Sequence, residues 1–70
     1  MTLEELRVKY QTLADNCEKR GDEYHKQAED AKQKGNYESA SLYYNMATTA
    51  YNVATIYTLF VNDLNKVTKN

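Results

Sequence analysis

The 70-residue sequence lacks proline and tryptophan, and it contains only two glycines and one cysteine, Cys17. A β-sheet or α/β chain of this length needs several turns, which glycine and proline usually mark. A single cysteine excludes an internal disulfide, and a single histidine, His25, leaves no Cys/His cluster for a structural zinc ion. The sequence therefore predicts an all-α protein that needs no cofactor.

The charges are nearly balanced, with nine basic and ten acidic residues and a net charge of −1. A nucleic-acid surface needs clustered Lys and Arg, so binding to nucleic acid is not expected. No Gly-rich phosphate loop or Ser/His/Asp set is present, and we expect no enzymatic activity. The sequence has no N-terminal signal or cysteine framework, which favours a cytoplasmic protein. Asn45 and Asn52 interrupt the one long weakly charged segment, so no membrane span is expected.

A chain of this length is expected to form one domain, residues 1–70, at the small end for independent folding. Such a domain buries only roughly 60% of its unfolded surface, and its core contributes little stability. Because disulfides and metals are not expected, association with another chain is the remaining means of stabilisation. We therefore predict a homo-oligomer, most simply a dimer.

The first half of the chain predicts a helix over about residues 3–34. Thr2 and Glu5 have the spacing of a capping box. Apolar residues then repeat at alternating steps of three and four residues, the pattern of a coiled coil: Leu3, Leu6, Tyr10, Leu13 and Cys17. The same spacing continues with more polar residues: Arg20, Tyr24, Gln27 and Ala31. This unbroken register favours a helix that continues through Gly21. The alternative is a break at Gly21, which gives a three-helix bundle.

Gly35 and Asn36 predict a turn, followed by a second helix over residues 37–67. No residue from Ser39 to Asn62 is charged. Two rows with the three-four spacing run along this helix. The first seam is Tyr37, Ala40, Tyr44, Ala47, Tyr51, Ala54, Thr58 and Val61, and the second seam is Tyr43, Met46, Ala50, Val53, Tyr57, Phe60, Leu64 and Val67.

Two adjacent seams predict contact with two neighbouring helices. The first helix, folded back antiparallel, covers one seam, and a second copy of the chain covers the other, giving a four-helix bundle of two hairpins. A third face is uncharged and mixes polar with large apolar residues, which is typical of a contact surface: Ser41, Asn45, Thr48, Asn52, Thr55 and Asn62, with Leu42, Ile56 and Leu59 beside them. The predicted interface residues are Tyr43, Tyr44, Ala47, Ala50, Tyr51, Ala54, Tyr57, Phe60, Val61 and Leu64.

Aromatic, small and glycine residues recur on both sides of the predicted turn: Tyr24, Ala28, Gly35, Tyr37, Ala40, Tyr44 and Ala47. In this pattern residues 24–47 resemble a single tetratricopeptide repeat and the helical hairpin of microtubule-interacting and transport domains. The resemblance covers about a third of the chain. It implies a close-packed helix pair with a groove that holds the helix or peptide of a partner.

These patterns predict a non-enzymatic protein–protein interaction module, a self-associating adaptor, regulator or inhibitor of a larger protein that binds through the helix 37–67. One alternative is a small four-helix-bundle nucleic-acid-binding regulator that uses the basic residues of the first helix, Arg7, Lys9, Lys19, Arg20 and Lys26. Another is a metal-dependent enzyme, because Asp22, His25 and Glu29 share one helical face.

Overall fold

A computed structural model describes residues 1–68 of the chain. This range contains two α-helices, α1 (Leu3–Gln33) and α2 (Tyr37–Thr68), and no strand. The helices pack against each other as an antiparallel hairpin 54 Å long and about 14 Å across. The predicted all-α helical hairpin is therefore confirmed. Both predicted helix starts agree with the observed ones, and each predicted helix end differs by one residue, 34 against Gln33 for α1 and 67 against Thr68 for α2.

Both ends of α1 are capped by the local sequence. The Glu5 amide donates to Thr2 Oγ1 at 3.1 Å, and the Thr2 amide donates to Glu5 Oε1 at 3.3 Å, which completes the predicted capping box. At the other end Gly35 has φ 78°, a left-handed conformation that glycine adopts without strain. Hydrogen bonds from the amides of Gly35 to Lys32 O and of Asn36 to Ala31 O form a Schellman motif.

The turn also starts the second helix. Asn36 Oδ1 accepts a hydrogen bond from the Ser39 amide at 3.3 Å, and Asn36 O accepts one from the Ala40 amide at 3.0 Å. Asn36 therefore ends the capping motif of α1 and caps the N-terminus of α2. One asparagine with these two roles allows a connection short enough to bring the helices into direct contact.

Helix α1 continues through Gly21, so the three-helix alternative does not occur in residues 1–68. Gly21 is buried because the ring of Tyr51 lies across it. A Cβ atom at this position would lie 2.6 Å from Tyr51 Cε1, closer than van der Waals contact permits. The glycine is thus explained by the space that the tyrosine ring occupies, and it does not mark a break in the helix.

Small residues form the contact between the helices. Within residues 1–67, every buried apolar side chain is an alanine or a valine. The main positions repeat every seven residues on both helices: Ala14, Gly21 and Ala28 on α1, and Ala40, Ala47, Ala54 and Val61 on α2. Such small side chains allow the two backbones to approach closely, and larger residues flank the line of contact.

The line of closest contact on α1 differs from the predicted seam by one residue. Leu13 and Cys17 of that seam are only half-buried, whereas Ala14, next to Leu13, is 4% exposed. The reason is that only the smallest side chains fit where the backbones are closest. On α2 the alanines of the first seam are buried against α1; the spacing alone left open which of the two seams α1 covers, and Ala47 and Ala54 were expected at the interface with a second chain.

The contact between Gly21 and Tyr51 gives a first prediction. Gly21→Ala should lower the free energy of unfolding by about 1–3 kcal/mol, because the added methyl overpacks the interface. This loss should occur although alanine favours an isolated helix by about 1 kcal/mol. Urea unfolding measures the change.

The control uses the same substitution in a Tyr51→Ala background, where the ring is absent. Here Gly21→Ala should increase stability by up to about 1 kcal/mol through helix propensity alone. An increase of the same size when Tyr51 is present would contradict the observed packing of the ring.

Candidate interaction surface

Two tyrosine hydroxyls connect the helices along one side of the hairpin, which we call the tyrosine side. Tyr44 Oη donates to Glu29 Oε1, and Tyr51 Oη donates to Asp22 Oδ1, each at 2.5 Å. Both the tyrosines and the carboxylates are seven residues apart, so the same contact occurs twice along the hairpin. Hydrogen bonds to a charged acceptor are stronger than those between neutral groups. These contacts fix the register of α2 on α1.

The hydrogen bond to Glu29 raises the pKa of Tyr44, and burial and the nearby negative charge act in the same direction. The pKa of Tyr51 is raised in the same way by its hydrogen bond to Asp22, then by burial and by the charges of Asp22 and Glu18. A phenolate beside a carboxylate would be repelled. Both hydroxyls therefore remain protonated donors well into the alkaline range.

The three residues considered as metal ligands lie on this tyrosine side. The Asp22 and Glu29 carboxylates accept the tyrosine hydrogen bonds, and His25 Nε2 lies 3.9 Å from Glu29 Oε1. The His25 ring also meets Tyr44 edge-on, with ring centres 5.6 Å apart. In residues 1–67 no group of three or more His, Cys, Asp and Glu residues is arranged to hold a metal ion. These side chains contribute to the contact between the helices.

An open groove of about 400 Å³ runs along the opposite side of the hairpin. Helix α1 contributes Cys17, Arg20 and Tyr24 to it. Helix α2 contributes the remaining lining residues, which are uncharged: Leu42, Asn45, Met46, Thr49, Ala50 and Val53. Nearer the chain termini the ring of Tyr10 stacks on Tyr57 with ring centres 5.8 Å apart and contacts Phe60 with ring centres 5.5 Å apart.

Large apolar side chains remain exposed beside this groove. Leu42 is 61% exposed, Ile56 50% and Phe60 45%. They belong to a single row with alternating three- and four-residue steps, which we call the outer seam: Leu42, Met46, Thr49, Val53, Ile56, Phe60, Asp63 and Val67. The predicted second seam contains Met46, Val53, Phe60 and Val67 of this row, and Leu42 and Ile56 lie beside the predicted third face, whereas Thr49 and Asp63 belong to neither. Their spacing alone would have identified them as one row, although Thr49 and Asp63 interrupt its apolar character.

The threonines of α2 add little polarity to the exposed surface. The hydroxyls of Thr48, Thr49 and Thr55 each donate to the carbonyl four residues earlier at 3.0 Å, and that of Thr58 does so at 2.9 Å. Each hydroxyl thus has a partner within its own helix and leaves its methyl group available for contact. A second chain could cover Thr49 without leaving a buried unpaired donor.

The predicted interface residues differ in burial within the hairpin. Four are buried: Ala47, Ala50, Ala54 and Val61. Five are half-buried, namely Tyr43, Tyr44, Tyr51, Tyr57 and Leu64, and Phe60 is exposed. The four buried residues therefore pack within the chain, and Phe60 is the most accessible of the ten to another chain. Leu42 and Ile56 of the outer seam are not among the predicted interface residues.

The basic residues considered for nucleic-acid binding are dispersed along α1. Arg7 forms an ion pair with Glu4, which raises the pKa of Arg7 and lowers that of Glu4, mainly through their side-chain hydrogen bonds. Arg20 lies at the groove, and Lys19 and Lys26 are exposed.

Over residues 1–68, neither α1 nor α2 carries an apolar stretch that could cross a bilayer.

Comparisons with family models, with curated proteins and with solved structures found no match. The groove and the outer seam are thus the features from which a function can be argued.

The tyrosine side gives a prediction for alkaline pH. Because the pKa values of Tyr44 and Tyr51 are raised on folding, their stabilising effect is complete below about pH 10, the pKa of an unfolded tyrosine. The effect is lost as the pH rises through the higher folded values. The double variant Tyr44→Phe/Tyr51→Phe should be less stable than the wild type at neutral pH, and the difference should shrink above about pH 10.

Urea unfolding of both proteins at a series of pH values tests this, since the other tyrosines are common to both and cancel in the difference. A stability difference that is constant from neutral to strongly alkaline pH would show that the hydroxyls do not donate to these carboxylates.

Proposed function

We propose that this protein is a non-enzymatic protein–protein interaction module. In this proposal the hairpin pairs with a second copy through the groove and the outer seam, and the resulting bundle acts as an adaptor, regulator or inhibitor of a larger protein. The observation that carries the proposal is the placement of apolar residues. Alanines fill the contact between the helices, and Leu42, Ile56 and Phe60 are left on the surface.

The energetics of burial support association. Hydrophobic stabilisation scales with the apolar area removed from water, at about 25 cal/mol per Å². Alanine offers little such area, so the interior of this hairpin is a weak source of stability. The large side chains of the outer seam could supply more, but only when another molecule covers them. Exposed apolar rows of this kind mark interaction sites in soluble proteins.

The absence of charged residues from Ser39 to Asn62 of α2 supports a protein partner. No residue from Ser39 to Asn62 is charged, whereas acidic and basic residues are interspersed along α1. Charged groups are depleted in the centres of protein interfaces because their desolvation is costly. A surface that binds nucleic acid would instead carry a cluster of basic residues.

The groove has the form expected for a helical partner. It runs between two helices, and its α2 wall has the spacing at which coiled-coil residues meet a neighbouring helix. The resemblance of residues 24–47 to tetratricopeptide-type hairpins implies the same mode of binding and is part of this proposal. The second copy is the occupant proposed here because it offers an equally uncharged face.

Two neighbouring substitutions test the proposal. Ile56→Asp places a carboxylate in the outer seam, and Thr55→Asp places one on the adjacent exposed face outside the seam. We expect the wild type and Thr55→Asp to be dimers by light scattering over a dilution series, and Ile56→Asp to dissociate at least about tenfold more readily, a change of about 1.4 kcal/mol.

Both residues are exposed, so both variants should retain the helical circular dichroism of the wild type. A wild-type chain that is monomeric at all concentrations would refute self-association. Equal dissociation of the two variants would show that the outer seam is not the contact.

A further inference from the structure

The outer seam also indicates how two copies are oriented. We propose that two chains pair through antiparallel α2 helices, with a two-fold axis at the level of residue 51. This inference rests on the proposed self-association and specifies its geometry.

The proposed register follows from the positions of the exposed residues. In an antiparallel pair, residues whose numbers add to a constant face each other across the axis. A sum of 102 places Leu42 opposite Phe60, Met46 opposite Ile56, and Thr49 opposite Val53 of the second copy. Symmetry repeats each contact, which gives six layers. Each layer contains at least one large apolar or β-branched side chain, and none contains a charge.

Asp63 distinguishes this register from its alternatives. Asp63 belongs to the outer seam but lies outside the six layers of the proposed pair. A parallel, in-register pair would place the two Asp63 carboxylates opposite each other. An antiparallel pair shifted by one heptad, with a sum of 109, would place Asp63 opposite Met46. The parallel pair brings two like charges together, and the shifted antiparallel pair places the carboxylate against an apolar side chain. Both contacts are unfavourable.

The opposite shift by one heptad loses contacts. A sum of 95 pairs Leu42 with Val53 and Met46 with Thr49, and it leaves Ile56 opposite Ser39 and Phe60 at the level of the turn. Only four layers then form between the helices. The register with a sum of 102 covers every exposed apolar residue of the outer seam from Leu42 to Phe60 without involving Asp63, whereas the exposed Leu59 lies outside this seam.

The central layer is compatible with burial. Thr49 meets Val53 nearest the axis, and the Thr49 hydroxyl already donates to Asn45 O at 3.0 Å. The layer therefore presents methyl groups and leaves no donor unpaired. Thr49 and Val53 also line the groove, so the pairing helix would lie along it and approach α1 at Cys17 and Tyr24.

Disulfide cross-linking with Leu42→Cys and Phe60→Cys tests the orientation. In the proposed pair these positions face each other, whereas the two copies of position 42 are separated by about 27 Å along the helix. After air oxidation, a mixture of the two variants should give a covalent heterodimer, and neither variant alone should give a dimer linked through its new cysteine. Peptide mass spectrometry identifies the linked positions and separates them from any disulfide of the native Cys17.

A second pair of variants, Met46→Cys and Ile56→Cys, should also form a disulfide only when the two are mixed. This pair leaves Phe60 intact, so it provides the test if Phe60→Cys disturbs the packing locally. Disulfides between identical positions in each variant alone would establish a parallel pair and overturn the proposed orientation, although self-association would stand. A dimer by light scattering in which neither mixture forms the expected link would also overturn it. A wild-type chain that is monomeric would overturn both the orientation and the proposed function.

Discussion

The close approach of α1 and α2 is the constraint on which the rest of the structure depends. Backbones this close leave room only for alanine, valine and glycine along the line of contact. At Gly21 the Tyr51 ring occupies the space that a side chain would need. The same ring then reaches Asp22 with its hydroxyl, so one residue both requires the glycine and fixes the helix register.

This packing accounts for the distribution of large side chains. Because the interior excludes them, Leu42, Ile56 and Phe60 lie on the outside of α2, beside a groove that another helix could fill. A hairpin stabilised mainly by alanine contacts has little apolar area to bury within itself. In the proposed dimer a second copy would provide this burial, and the uncharged stretch from Ser39 to Asn62 would be covered without desolvating charges.

Much of the fold could be predicted from the sequence, because the three-four spacing and the capping residues are local signals. Thr2, Gly35 and Asn36 marked the helix ends correctly. The rotation of α1 could not be predicted, because it depends on how closely the helices approach, which is a property of the pair. Leu13 and Cys17 were expected at the centre of the contact between the helices. They lie at its edge, because α1 is rotated so that smaller residues face α2.

The candidate surface was only partly predictable for a related reason. The seams on α2 were visible in the spacing, but which residues remain exposed depends on which side α1 covers. Tyr44 and Tyr51 were predicted to lie at an intermolecular interface, and their hydroxyls bind carboxylates of the same chain. A hydrogen bond between residues 15 or 29 positions apart has no local signature in a sequence.

The most direct test of the central claim is the thermal unfolding midpoint as a function of protein concentration. If burial of the outer seam between two copies supplies part of the stability, mass action requires the midpoint to rise over a roughly hundredfold increase in concentration. A midpoint that does not change with concentration, in a chain that remains monomeric, would mean that the hairpin is stable without a second copy and would contradict the account.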